Sequence, residues 1–194
     1  MKNTDFDEMT ENMGDKTTEP QGIIIFGANG SGKTTLGREV ARILDFKRMD
    51  VEDYYFRDAE VPYSDSRSKD EVISLMIADI EKHRSFVISG VTGDYGDVIP
   101  RHYRLAVHMS APHDLRIERV KQRAYDKFGE RVLEGGDMYE SEQKFFDFVA
   151  VRPLYKIDEW AKTLSCPVIH IDGTVDWRVN AMTIAEKWRK TING

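Results

Sequence analysis

Apolar residues along this chain alternate between two spacings. Ile23 to Phe26, Ser85 to Ser89, Leu105 to Met109 and Pro167 to Ile171 are short runs bounded by glycine or polar residues, and Phe46 to Asp50 is a shorter one. Compact, Val/Ile/Leu-rich segments of this kind read as buried strands. Between them apolar positions recur every three or four residues: Leu36, Val40, Ile43 and Leu44, then Val72, Met76 and Ile80. The same spacing continues through Leu115, Ile117 and Val120, and it predicts amphipathic helices. Ser68 with Glu71 forms a capping box that marks where the second of these helices begins. Ser141 to Leu164 reads as one long helix bent or broken by Pro153, with Phe145, Phe148, Val149, Leu154, Ile157 and Trp160 apolar. A last helix uses Val175, Val179, Met182, Ala185, Trp188 and Ile192. Strands alternating with helices from Gly22 onward predict an α/β domain with a parallel sheet.

Composition narrows this picture. Of 194 residues, 40% are apolar and 32% charged, which describes one soluble domain of ordinary size over 22–194. Residues 1–21 are polar with no sustained period and are expected to form a disordered tail. The net charge of −6 argues against a general nucleic-acid binder. Apolar runs fall short of a membrane span, and the single Cys166 excludes a disulfide framework, so a cytoplasmic location is expected. The five histidines are scattered without metal-ligand spacing; His108 and His170 lie in strands and read as core or edge residues.

The chemistry concentrates at Gly27-Ala28-Asn29-Gly30-Ser31-Gly32-Lys33-Thr34, followed by Thr35. Strand, G-x-x-x-x-G-K-T and helix in succession make a P-loop. Its amides curl around phosphate oxygens at a helix N-terminus, Lys33 follows the β- and γ-phosphates, and Thr34 can ligate Mg²⁺. Acids at the carboxyl end of the second strand, Asp50 and Asp53, are placed for Mg²⁺ or for a hydroxyl nucleophile, or serve as solvated turn residues. Arg116, Arg119 and Arg123 share one helical face, which suits an anion clamp or a solvated basic face. The glycine-interrupted connector after Arg123 resembles a closing lid, over about 124–142.

On these residues the stretch from Gly22 to Ile192 resembles the nucleoside monophosphate kinase branch of P-loop proteins, which includes adenylate kinases and shikimate- and gluconate-kinase-type enzymes. Arg152-Pro153-Leu154-Tyr155 is similar to the R-L-x-x-Y after an adenylate kinase lid, and Asp172-Gly173-Thr174 resembles the turn that packs on the adenine. The resemblance implies a P-loop NTPase three-layer sandwich with a five-stranded parallel sheet in the order 2-3-1-4-5. It further implies ATP and Mg²⁺ as cofactors, a small-molecule acceptor held by about residues 50–82, and Mg²⁺ at Thr34 and Asp50. In that scheme Lys33, Asp53, Arg119, Arg123 and Arg152 are catalytic, and Arg119 with Asp172, Gly173 and Thr174 also contacts the nucleotide. Adenylate kinases carry D-G-F-P-R after strand three; Ser89-Gly90-Val91-Thr92-Gly93 lacks its Asp and Arg, so an AMP grip is not recognisable. The alternative is an ATP-binding or ATP-hydrolysing regulatory module without a small-molecule acceptor.

Overall fold

The computed structural model describes residues 19–57 and 65–193. The expected tail therefore lies outside the described residues except for its last three, and part of the expected acceptor segment, 58–64, lies outside them as well. Strands β1 (Gln21–Phe26), β2 (Lys47–Asp50), β3 (Ser85–Gly90), β4 (Tyr103–Ser110) and β5 (Val168–Asp172) form one parallel sheet ordered β2-β3-β1-β4-β5. That is the order the resemblance implies. Gln21 already pairs with Ser85, so the domain begins one residue earlier than its apolar pattern suggests.

Side-chain alternation along β1 builds both faces of the core. Ile23 and Ile25 pack with Leu36 and Val40 of α1 (Lys33–Leu44) and with Ile184 and Trp188 of α7 (Trp177–Asn193). Ile24 and Phe26 point the other way, toward Val72, Met76 and Ile80 of α3 (Lys69–His83) and Ile157 of α6 (Tyr155–Ala161). Phe26 stacks on His108 with centroids 4.8 Å apart and meets Trp160 edge-on at 5.0 Å, so His108 packs half-buried against the core from β4 while His170 is exposed on β5. Cys166 packs against the same core cluster as a half-buried thiol. The capping box forms as expected: Ser68 accepts from the Glu71 amide and Glu71 accepts from the Ser68 amide. Among the described residues no helix is long and apolar enough to cross a membrane.

Two helical faces differ from their sequence reading. On α7 the buried stripe is Ala181, Ile184, Ala185 and Trp188, while Val175 and Val179 before and within it, with Met182, stand exposed. Ala185 and Trp188 are buried as read, whereas Ala181 and Ile184 take the buried places expected of Val179 and Met182. The long helix is broken by Pro153 into α5 (Tyr139–Val151) and α6, and α5 buries Phe146 and Val149 rather than Phe148. Those residues face Val120 and Ala124 of α4 (His113–Phe128), and Val132 and Met138 of the connector complete a small core of their own. The excursion between α4 and α5 is thus a packed helical hairpin. Its tip is closed by paired hydrogen bonds from the Arg131 guanidinium to Asp137, at 2.9 and 2.7 Å.

Candidate active site

β1 runs into a tight loop before α1. Gly27 (φ 146) and Gly30 (φ 77) hold left-handed backbone angles there; a Cβ at either would sit 2.1 Å from Met109 O or 2.2 Å from Arg116 O. Only glycine lets the loop press this closely on β4 and α4. The first intrahelical bond of α1 runs from the Leu36 amide to Gly32 O at 3.1 Å. The amides of Lys33, Thr34 and Thr35 therefore leave the helix end without an intrahelical partner, where the helix dipole favours an anion.

This helix end floors a cleft of about 580 Å³ beyond the carboxyl ends of the strands. Asn29, Gly30, Gly32, Lys33, Thr34 and Thr35 line it. Gly27, Ala28 and Ser31 do not: they are buried beneath the loop, and among the described residues the Ser31 hydroxyl has no hydrogen-bond partner. Lys33 Nζ donates to Ala28 O at 2.7 Å, which holds the ammonium over the loop. Burial lowers its pKa from 10.5 to about 8; Arg123 and Arg152 push the same way, against Glu52 and Asp50.

The acids after β2 separate by helical rotation. Asp50 caps α2 (Val51–Tyr55) by accepting from the Glu52 amide at 3.2 Å and is 7% exposed on the cleft wall. Successive helical residues turn by about 100°, so Glu52 and Asp53 cannot both face inward. Glu52 lines the cleft, with its carboxylate 3.8 Å from Arg123 Nη1. Asp53, the acid expected to orient a nucleophile, has a side chain 64% exposed and turns away to Arg48, 3.3 Å off. Arg48 also lies 3.3 Å from Asp50. Glu52 was legible only as one of three neighbouring acids; a one-residue shift in the helix start exchanges its place with that of Asp53.

The arginines of α4 also divide. Arg119 donates from Nη1 to Gly173 O at 3.0 Å and lines the cleft beside Arg123. Arg116, 3% exposed, belongs to no clamp: it donates to Ala111 O at 3.2 Å and to Asn29 O at 3.3 Å, latching α4 onto the loop. Losing these charged hydrogen bonds in Arg116→Ala should cost about 2 kcal/mol, read as a lower urea midpoint. An unchanged midpoint would mean that the latch carries no stability. Arg152, delivered at the break before Pro153, donates to Asn29 Oδ1 at 3.2 Å. Gly173 and Thr174 line the cleft, whereas Asp172 only shapes the turn by accepting from the Thr174 amide and hydroxyl at 2.8 Å each. These two bonds hold the Asp172 carboxyl below the usual range.

The cradle therefore fits a nucleotide tail. It combines outward amides, a desolvated ammonium and converging guanidinium groups. Thr34 and Asp50 both line it and carry oxygen donors of the kind Mg²⁺ prefers.

A family model described as an AAA domain matches residues 23–147. The chain is 30% identical over 168 residues to the uncharacterized protein YqaC of Bacillus subtilis (strain 168), a match spanning 81% of this chain and 93% of that protein. Among solved structures, shikimate kinase from Bacteroides thetaiotaomicron superposes with a TM-score of 0.55 at 16% identity, covering 90% of this chain and 99% of that one. At that identity the likeness is one of fold. Loop, sheet order and family match converge: the chain belongs to the AAA domain family of P-loop NTPases.

Proposed function

We propose that the protein is a P-loop kinase that transfers the γ-phosphoryl group of ATP to the hydroxyl or phosphate of a small acceptor. The observation that carries this reading is the convergence of Lys33, Arg119 and Arg123 on one cleft, with Arg152 on its Asn29 wall and a second cavity opening beside them at Glu52 and Arg123. A switch that only binds nucleotide needs no such second chamber.

Loop amides and Lys33 hold the β- and γ-phosphates, and Arg119, against Gly173 O, flanks the nucleotide. Thr34 and Asp50 would hold Mg²⁺, which supplies charge neutralisation between the phosphates when bound. Glu52, in place of Asp53, accepts the proton of the acceptor hydroxyl. The acceptor oxygen forms its bond to the γ-phosphorus as the bond from that phosphorus to the β–γ bridging oxygen breaks, and ADP leaves with those electrons. Arg123 and Arg152 neutralise charge on the phosphoryl oxygens in flight. The α4–α5 hairpin, with a core of its own, serves as the lid.

The test is ADP production from Mg-ATP with the intact chain, across nucleosides, nucleoside monophosphates, sugars and hydroxy acids. Release that depends on one acceptor class is expected. Slow hydrolysis indifferent to every acceptor would overturn the kinase reading in favour of the regulatory module.

A further inference from the structure

The second cavity, about 510 Å³, lies between α2, α4 and α5 and shares Glu52 and Arg123 with the phosphate cleft. Its volume is that of a small-molecule pocket. On the kinase reading it is the acceptor chamber, and its lining restricts what the acceptor can be. Arg123, Lys127 and Arg131 recur every four residues and look, in sequence, like a strip for binding an anion. In space each is offset. The Arg131 guanidinium is closed on Asp137, Arg123 faces Glu52 at 3.8 Å, Lys127 lies over the Phe128 ring at 5.2 Å, and Arg123 and Lys127 both act through space on Glu142. The described lining residues thus carry three cations and three carboxylates.

Glu142 is the telling one. It is 9% exposed, and among the described residues no hydrogen bond reaches its carboxylate, which burial pushes above the ordinary range. Glu142 lines the cavity, so a carboxylate that meets no protein donor can accept one from a ligand there. Phe56, Phe128, Phe145 and Met138 offer flat apolar surface elsewhere on the wall, beside the neutral polar groups of Asn29 and Ser141. A dianion placed here would face Glu52 and Glu142, and the described lining residues carry no net positive charge to offset its desolvation.

We propose that the acceptor is a neutral, ring-bearing alcohol that gives an N–H or O–H hydrogen bond to Glu142 and turns its reacting hydroxyl toward Glu52, in preference to any phosphate- or carboxylate-bearing molecule. This rests on the phosphotransfer reading for what happens next, but its binding preference is measurable without turnover.

With the intact chain saturated with a non-hydrolysable Mg-ATP analogue, calorimetry would compare matched pairs: the four common ribonucleosides against their 5′-monophosphates, and methyl shikimate against shikimate. In at least one pair the neutral member should bind about tenfold or more tighter than its charged partner. Glu142→Gln should weaken that neutral probe by about tenfold while Mg-ATP uptake persists, and Glu142→Arg should shift preference toward the charged partner. The proposal is overturned if no neutral probe binds at millimolar concentration, if charged partners bind equally or better throughout, or if Glu142→Gln leaves the neutral probe unaffected. Phosphorylation of a monophosphate would overturn the neutral acceptor and keep the kinase. Tight neutral binding without ADP release would overturn the kinase and keep the chamber's preference.

Discussion

Arg152→Ala is expected to lower turnover by about 10³-fold while changing Mg-ATP affinity far less. Pro153 ends α5 and forces the preceding residue out of helical geometry, so Arg152 leaves the helix (φ −59, ψ 123) and lies over the Phe148 ring at 5.4 Å. From there it reaches Asn29 Oδ1 on the rim of the loop, not the loop floor where Lys33 and the amides grip the ground-state phosphates. A guanidinium at that rim meets charge that grows only as the phosphoryl group departs, and such interactions raise turnover without tightening binding. Steady-state kinetics beside calorimetric ATP affinity checks this. Equal losses in both would make Arg152 a ground-state ligand. Arg152→Lys should not restore the rate, because an ammonium lacks the planar fork.

Lys33 should make nucleotide binding pH-dependent in a range where ordinary lysines are silent. Its pKa is about 8 in the folded chain against 10.5 for an unperturbed lysine, chiefly through burial. Between those values the unfolded chain binds more protons, so stability rises with pH: the cost of a charged, desolvated Lys33 is present below about 8 and relieved above it. An incoming triphosphate reverses the bias by favouring the ammonium. Binding above pH of about 8 must therefore take up a proton, and affinity should fall by up to about tenfold per pH unit there. Calorimetry in buffers of different ionisation enthalpy reads that proton directly; affinity that stays flat well into the alkaline range would contradict it.

What the sequence made legible was local. Gly27 to Thr34 is dense enough in special residues to identify the loop, and Ser68 with Glu71 marks a helix start because both bonds span one turn. Less legible was anything that depends on a rotation of one residue. Asp53 was expected where Glu52 stands, because the sequence does not say that Asp50 itself caps α2. Arg116 shares a helical spacing with Arg119 and Arg123, yet the carbonyls of Ala111 and Asn29 draw it under the loop. Val179 and Met182 look like core, but the small Ala181 lets α7 approach the sheet on the side that buries Ile184 together with Trp188. The second cavity is least local of all, since it exists only through the packing of α4 and α5.

Every role assigned to the cleft depends on a triphosphate held by Lys33 and the loop amides. Titrating Mg-ATP into the full-length chain and into Lys33→Ala, with matched unfolding midpoints as a control for folding, tests this most directly. Saturable uptake by the parent chain and a loss of about a hundredfold or more in the variant are expected, given the strength of charge-assisted bonds to phosphate. Failure of the folded parent to take up Mg-ATP, or equal affinity in the two proteins, would contradict it.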